Sequence, residues 1–317
     1  MKENNPLVSA IVPTYKRREK LRRAVVSIEE QSHDNLEVII VNGDPETDVT
    51  DITAANHPTE HVHHDRNYGI SRARNDGIAR ANGEFVAFLD DDDEWKSEKI
   101  ELQLAEFERL DDDYGMVYTG RDVRIRSEVT RRQVPTKYGE VYADLLYKNF
   151  VASETPVVRA EALSDVGGFD TELRFGEDFD LWLRIAQEYR IGVVSESLAI
   201  AHQGHPDRLS DDWERRYQST VRLIEKHNDG FQANPTALGR RYRKLGFYAL
   251  QLGRPSEARQ YLLAGLQNDL DPASLAYLIV TMFPQVTKEP LLDLRRQIVL
   301  FGLHDGLSRW VCEHTKL

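Results

Sequence analysis

The fold is decided by the stretch EFVAFLDDDD, residues 84–93. Its mostly apolar first six residues predict a strand that is buried on both faces, and four aspartates follow where the strand ends. In open α/β sheets, ligands bind beyond the carboxyl ends of the strands, so a site is expected at these aspartates. Adjacent carboxylates repel one another unless positive charge lies among them, and hard divalent cations prefer oxygen ligands. The alternative is a solvated turn, but the strand context favours a metal site.

Apolar strands and helices alternate on both sides of this stretch. The pattern predicts strands at 7–12, 36–41, 61–64, 116–119 and 191–194, and helices at 18–31, 71–81, 97–110 and 179–189. Continuous apolar strands that alternate with helices predict an α/β fold with a mostly parallel, Rossmann-like sheet flanked by helices. The charged residues 121–138 are expected to form a loop or a hairpin.

The chain changes character after residue 208, where only helices are predicted, at 213–227, 238–252, 256–268 and 291–311. Residues 1–208 are therefore expected to form the α/β domain, and residues 209–317 an all-α C-terminal appendage. The helix pair within 238–268 resembles a tetratricopeptide-type hairpin, although a plain helical appendage fits the same residues.

Charge and cysteine content narrow the classes of function. The chain has 41 basic and 53 acidic residues and a net charge of −12. An acidic surface repels phosphate backbones, so binding to nucleic acid is not expected. Cys312 is the only cysteine, which excludes an intrachain disulfide and a cysteine zinc site. A reducing cytoplasm is therefore the expected location.

Any membrane contact is expected to be peripheral. No stretch approaches the roughly 18 apolar residues that are needed to span a bilayer. An apolar stripe near basic residues could rest on the inner face of a membrane, and packing against the α/β domain is the favoured alternative. The stripe consists of Leu303, Leu307, Trp310 and Val311.

Several motifs, in this order along the chain, resemble those of family 2 glycosyltransferases, which have the GT-A fold. They are VSAIVPTY at 8–15, NYGISRARNDGI at 67–78, FLDDDDEW at 88–95, and GGFD at 167–170 with EDFDLW at 177–182. The resemblance extends over about residues 7–210. It implies a GT-A domain within residues 1–208 that takes its sugar from a nucleotide-sugar.

The resemblance also implies which residues bind the donor. Asp90 would contact the nucleotide ribose or the donor sugar, with Asp91 beside it on the donor side. The remaining donor-binding residues would be those that line the base pocket and those that hold the nucleotide-sugar: Pro13, Thr14, Tyr15, Asn67 and Arg74.

The resemblance also implies which residues bind a metal ion and which residue acts as the general base. Asp92 would hold Mn²⁺ or Mg²⁺ against the diphosphate, and His205 fits the position of a metal-ligating histidine better than His202 does. Asp178 would be the general base, with Glu177 as the alternative. Without the resemblance, a carboxylate at a helix start is more often a cap or a partner of the helix dipole.

One segment departs from the family pattern. After the second strand the family has paired aspartates followed by Gly-Ser, and one of these aspartates reads the nucleotide base. This chain has VNGDP at 41–45, so that Asn42 or Asp44 would take over the contact. The donor could therefore be a UDP-, GDP- or dTDP-sugar.

The sequence thus predicts an inverting, metal-dependent hexosyltransferase-type enzyme. Metal neutralises the leaving diphosphate while a carboxylate on the opposite face takes the proton of the acceptor hydroxyl. The acceptor would be a lipid-linked or surface glycan. The alternatives are a retaining enzyme of the same general fold, a non-catalytic glycan- or protein-binding module, and a nucleotidyltransferase. The last needs a glycine-rich phosphate loop, and residues 13–17, PTYKR, contain no glycine.

Overall fold

The computed structural model describes residues 5–126, 128–203 and 212–281. The chain divides into two compact units, Met1–Leu145 with Asn149–Asp207, and Leu146–Lys148 with Arg208–Leu317. The first unit carries the sheet and the second carries only helices among its described residues. The roles assigned to the segments 1–208 and 209–317 stay a prediction.

A nine-stranded sheet forms the centre of the first unit, counted over the described residues. Its strands are β1 Val8–Thr14, β2 Leu36–Asn42, β3 Thr59–His63, β4 Phe85–Phe88, β5 Glu94–Trp95, β6 Tyr114–Ile125, β7 Glu128–Gln133, β8 Val157–Arg159 and β9 Arg190–Gln203. They are ordered β3-β2-β1-β4-β8-β6-β9-β5, and β7 pairs with β6 outside this path.

The sheet is mixed. Strands β3, β2, β1 and β4 are parallel neighbours, as are β6 and β9. Strand β8 joins the two parallel groups by antiparallel pairing with β4 and β6. This arrangement confirms the α/β fold, and its parallel N-terminal half places the ends of β1, β2 and β4 at one edge of the sheet.

Helices cover the sheet. They are α1 Arg18–Glu29, α2 Ile70–Ile78, α3 Lys99–Phe107, α4 Tyr142–Tyr147, α5 Ala160–Val166 and α6 Glu177–Glu188. Helix α1 buries Leu21, Val25 and Ile28, which the helical period places on one face, against apolar residues of β1 and β2. The polar residues at the carboxyl ends of the strands follow the strand residues that form this apolar core.

The second unit is built from α7 Trp213–Lys226, α8 Asn228–Ala233, α9 Pro235–Gln251, α10 Pro255–Asn268 and α11 Pro272–Val280. Helices α9 and α10 approach closely because small residues lie where they meet. A Cβ added to Gly246 would lie 2.6 Å from the Leu262 side chain, and one added to Gly239 would lie 2.9 Å from the carbonyl oxygen of Gly265. The tetratricopeptide-type reading of this pair stays a prediction.

Some predictions fall on parts of the chain that are not described. His205, the helix at 291–311 with its apolar stripe, and Cys312 lie outside the described residues. Among the described residues, no helix is both long and apolar enough to cross a membrane.

Candidate functional site

The ends of the parallel strands bring the predicted base-pocket residues together. Gly43, just after β2, donates its N–H to the carbonyl oxygen of Thr14 at the end of β1. A Cβ added to Gly43 would lie 3.6 Å from the Tyr15 ring and 3.9 Å from Oδ1 of Asn67. Pro13 is buried, whereas Tyr15 and Asn67 are exposed. An aromatic ring and an amide therefore border a shared surface at this edge of the sheet.

Asp91 lies beneath this surface and is tied to β1. Its Oδ2 accepts a hydrogen bond from Oγ1 of Thr14 at 2.8 Å, and its Oδ1 accepts one from Nη1 of Arg17 at 3.2 Å. Burial raises the pKa of Asp91 to about 6, an effect that Thr14 and Arg17 oppose and the neighbouring carboxylate of Asp92 reinforces. Asp91 thus fixes the aspartate run to the end of β1.

Asp92 is more accessible and faces positive charge. Its Oδ2 lies 3.2 Å from Nη1 of Arg17 and 3.7 Å from Nζ of Lys20, and Arg23 donates to its backbone carbonyl at 2.9 Å. Within the described residues no three ligand-type side chains form a ready metal site. The partly exposed carboxylate of Asp92 offers the hard oxygen that Mg²⁺ or Mn²⁺ prefers, and a bound cation would take the place of Arg17 and Lys20 at this oxygen.

Asp93 connects the aspartate run to β9. Its Oδ1 accepts the backbone N–H of His202 at 2.9 Å, and Nε2 of His202 lies 2.5 Å from Oε1 of Glu94. Burial, with the nearby carboxylate of Glu154, raises the pKa of Asp93 well above its usual range. His202 is therefore the histidine that the described residues place beside the aspartates, and His205 lies outside the described residues.

Arg74 joins the two acidic segments of the site. Its Nη2 donates to Oδ1 of Asp90 at 2.7 Å, and its Nη1 donates to Oε1 of Glu177 at 2.9 Å. Only 1% of the Arg74 side chain is exposed. Ser153 holds the other oxygen of Asp90 at 3.1 Å. A buried guanidinium between two carboxylates holds Asp90 and Glu177 in one site, although 87 residues separate them in sequence.

Asp178 lies in the first turn of α6. Burial and the adjacent Glu177 raise the pKa of Asp178 to about 7, and the positive charge of Arg74 opposes this shift. The residue before the helix, Gly176, has the left-handed φ of 72°, and no side chain caps the helix there. Asp178 accepts a hydrogen bond from the N–H of Phe179 at 2.7 Å, which satisfies one of the free N–H groups in the first turn of α6. This contact fits a role at the helix start, and the role of Asp178 as base stays a prediction.

The GGFD segment is held against α2 and α6. Asn75 donates to the carbonyl oxygen of Phe169 at 2.8 Å and accepts its N–H at 2.7 Å. Arg184, which pairs with the buried Asp180, donates to three carbonyl oxygens, at residues 166 to 168. Trp182 is fully buried, 6.5 Å from the rings of Phe88 and Phe169, and therefore packs in the core.

The segment that departs from the family pattern forms a closed turn. Nδ2 of Asn42 donates to the carbonyl oxygen of Thr47 at 2.7 Å, and Oδ1 of Asn42 accepts the N–H of Asp44 at 2.9 Å. Asp44 is buried, accepts the hydroxyl of Thr47, and lies 3.9 Å from Nζ of Lys16. The amide of Asn42 is therefore engaged in the turn, and the buried carboxylate of Asp44 contacts Thr47 and lies near Lys16.

Sequence reasoning missed several residues of this site. Arg17, Lys20 and Arg23 face the aspartates, and their spacing of three residues at the start of α1 is a signal that was available. Ser153 and Glu154 reach the site from an irregular segment. They carry no periodic or motif signal, so only the folded chain reveals them.

The chain is similar in sequence to known proteins. A family model described as glycosyl transferase family 2 matches residues 9–162. The putative colanic acid biosynthesis glycosyl transferase WcaA of Escherichia coli (strain K12) is 30% identical over 238 residues, 72% of this chain and 84% of that protein. The chain belongs to glycosyl transferase family 2. It spans a smaller share, 28–33%, of three curated relatives from Rickettsia.

Two solved structures with a similar fold have a nucleotide-sugar bound. TarS 1–349 of S. aureus with UDP-GlcNAc is 17% identical at a TM-score of 0.61, covering 98% of this chain and 92% of that one. Mannosyltransferase PcManGT from Pyrobaculum calidifontis with GDP-Man and Mn²⁺ is 19% identical at a TM-score of 0.56, covering 99% and 88%. At these identities the likeness shows the fold, which is GT-A.

Proposed function

We propose that this member of family 2 is an inverting glycosyltransferase, which moves a sugar from a nucleoside-diphosphate sugar to an acceptor hydroxyl with Asp178 as general base. The observation that carries the proposal is the Arg74 bridge, because it puts Asp90 of the aspartate run and the start of α6 into one site. Family membership favours glycosyl transfer over nucleotidyl transfer and over a non-catalytic binding module.

The proton chemistry is assigned to Asp178. A pKa of about 7 leaves a sizeable fraction of its carboxylate deprotonated at neutral pH while keeping it basic enough to take a proton. Glu177 is engaged by Arg74, so its oxygen Oε1 is not free for this role. Attack by the acceptor oxygen from the side opposite the leaving diphosphate inverts the anomeric carbon of the donor sugar.

The donor is assigned to the edge formed by β1, β2 and β4. Tyr15 and Asn67 border the surface proposed for the base, and Thr14 and Pro13 form its floor. Asp90, oriented by Arg74, is proposed to contact the ribose or the sugar. Asp44, rather than Asn42, is the proposed reader of the base, because the Asn42 amide closes the turn.

A divalent cation, when bound, would neutralise the negative charge that develops on the leaving diphosphate. Asp92 is its proposed ligand, and His205 is a proposed second one. Arg17 and Lys20, which face Asp92, would place further positive charge beside the phosphates. PcManGT was solved with Mn²⁺, which supports this part of the proposal.

Substrate classes follow from the relatives. UDP-GlcNAc is bound to TarS and GDP-Man to PcManGT, which supports a nucleoside-diphosphate sugar as donor here. WcaA is named for colanic acid biosynthesis, which supports a glycan acceptor, lipid-linked or at the cell surface. The proposed location is the cytoplasm, with peripheral contact at the inner face of the membrane.

The donor can be found by thermal shift with UDP-, GDP- and dTDP-sugars in the presence of Mn²⁺, since a ligand at 100 times its Kd stabilises the folded state by about 2.7 kcal/mol. Release of nucleoside diphosphate is then measured with the stabilising donor, with and without excess EDTA. We expect EDTA to abolish release and added Mn²⁺ or Mg²⁺ to restore it. Full activity in excess EDTA would contradict the metal assignment.

The substitution Asp92→Asn tests whether Asp92 binds the metal ion. The substitution keeps the shape of the side chain but removes its charge, so the affinity for Mn²⁺ measured with bound nucleotide should fall roughly 10- to 100-fold. Asp111→Asn, an exposed aspartate before β6, is the matched control and should leave this affinity unchanged. Equal Mn²⁺ affinities in the two variants would remove Asp92 from the proposed site.

A further inference from the structure

The hairpin of β6 and β7 has an exposed end of unusual composition. Residues 124–131, RIRSEVTR, contain three arginines and one glutamate in a chain whose net charge is −12. Two aliphatic residues flank the turn, and both are exposed, Ile125 by 43% and Val129 by 47%. We call residues 124–126 and 128–131 the hairpin tip.

The arginines of the hairpin tip are free of internal partners. Arg132, just beyond the tip, pairs with Asp122 at 2.7 Å. By contrast, the guanidinium groups of Arg124, Arg126 and Arg131 have no hydrogen-bond or ion-pair partner among the residues that the structure describes. Nε of Arg124 is buried, whereas Arg126 and Arg131 are exposed, so the charge of these two arginines in particular is available to a ligand.

Both faces of the tip carry an aliphatic side chain and an arginine. Val129 lies opposite Arg124 on one face. Arg131 lies opposite Val123, and Ile125, two residues further along β6, shares that face. Each face thus carries one aliphatic side chain near the turn and one arginine, and the face of Ile125 also carries Glu128 opposite it. A β-hairpin with this composition can insert its apolar side chains at the boundary between lipid headgroups and acyl chains. Its arginines then remain among the headgroups.

The composition of the tip identifies its partner. We propose that the hairpin tip binds the surface of an anionic lipid bilayer. Acidic glycans would also attract arginine, but sugar rings are bound by aromatic faces, and the tip offers aliphatic Ile125 and Val129 instead. Screening limits electrostatic reach to about 8 Å at physiological salt, so the local positive charge can act despite the acidic remainder of the chain.

The tip is connected to the candidate site by the sheet. Arg124 is the register partner of His202 on β9, and the backbone N–H of His202 donates to Asp93. A bilayer at the tip would therefore lie beside the aspartate run. This inference rests on the peripheral membrane contact in the proposed function and names the surface that makes it, whereas the glycosyl-transfer chemistry is tested separately.

Vesicle flotation of the full chain tests the proposal. Vesicles of phosphatidylcholine with 30% phosphatidylglycerol are compared with pure phosphatidylcholine, and we expect binding to the anionic vesicles that weakens in high salt. The R124Q/R126Q/R131Q variant should bind on the order of 100-fold more weakly, at roughly fivefold per arginine near an anionic surface. R22Q/R80Q/R109Q removes the same charge from exposed helical and loop positions and should bind like the wild type.

A second measurement locates the contact without changing the arginines or the aliphatic residues. An environment-sensitive fluorophore is attached to E128C in a C312S background, because Cys312 is the only native cysteine. We expect a blue shift with anionic vesicles and quenching by lipids that carry a spin label near the headgroup. Equal binding of the tip variant and the wild type, or no spectral shift at residue 128, would overturn the proposal. Binding to the acidic glycan alginate without preference for anionic vesicles would assign the tip to a polysaccharide and would also overturn it.

Discussion

Arg74 and Glu177 form an ion pair, with Nη1 2.9 Å from Oε1, across 103 residues of the chain. The second amino group of the same guanidinium holds Asp90. One buried cation thus links the aspartate run that follows β4 to the helix whose first turn contains the proposed base. This link makes the two acidic segments a single site.

Removing this cation should damage both stability and activity. Arg74→Met leaves Glu177 without its partner in a partly buried position, which should lower the free energy of unfolding by about 3 kcal/mol. Turnover should fall at least 100-fold, because Asp90 and Glu177 lose their relative placement. Urea unfolding and release of nucleoside diphosphate measure the two effects. Arg72→Gln, an exposed neighbour on α2, is the control and should change stability by less than about 0.5 kcal/mol.

The pH dependence of the reaction reports on Asp178. The base must be deprotonated to act, and its pKa is raised to about 7. Activity measured as kcat/KM should therefore fall tenfold per pH unit below about pH 7 and level off above it. A profile that stays flat down to pH 5 would mean that another group takes the proton. Thermal melts across the same range separate loss of the base from loss of the fold.

Lys99 offers a test of the core beside the site. Its ammonium group is buried, lies 4.4 Å from the centre of the Trp95 ring, and has no hydrogen-bond partner among the described residues. Burial lowers the pKa of Lys99 to about 7, an effect that Glu154 opposes. Between about pH 7 and 10.5 the unfolded chain binds the extra proton, so wild-type stability should rise with pH over this window.

Lys99→Met should therefore stabilise the protein, most of all at low pH. The uncharged side chain of similar length avoids burying a charge, which we expect to add about 2–4 kcal/mol at pH 6. The gain should shrink as pH rises from about 7 to 10.5, because the wild-type lysine is neutral in both states only above this window. Chemical unfolding at pH 6 and pH 9.5 measures it. Equal stability of the two proteins at pH 6 would show that Lys99 is not buried as a charge.

Much of the fold could be predicted from local pattern. The strands β1, β2 and β4 are continuous apolar runs, and α1 shows its buried face in the spacing of Leu21, Val25 and Ile28. Strand β8 was missed, because three residues, Val157–Arg159, are too few to show a period. Its antiparallel pairing with β4 and β6 depends on contacts far apart in sequence, which a local pattern does not encode.

The candidate site was predictable where motif and position agree. Asp90, Asp92 and Asp178 follow from an acidic run at a strand end and from the family resemblance. The bridging geometry of Arg74 was not predictable, since nothing local says that one guanidinium contacts two carboxylates. The engagement of Asn42 in a turn was equally hidden, because it depends on Thr47 folding back onto it.

The central claim is that Asp178 removes the acceptor proton in a site that binds a nucleotide-sugar. It is tested most directly by turnover and donor affinity of Asp178→Asn, with the donor and acceptor that the wild type uses. We expect kcat to fall at least about 1,000-fold. The dissociation constant of the donor should stay within about threefold, because Asp90 and Arg74 are unchanged. Turnover by Asp178→Asn at the wild-type rate would contradict the account.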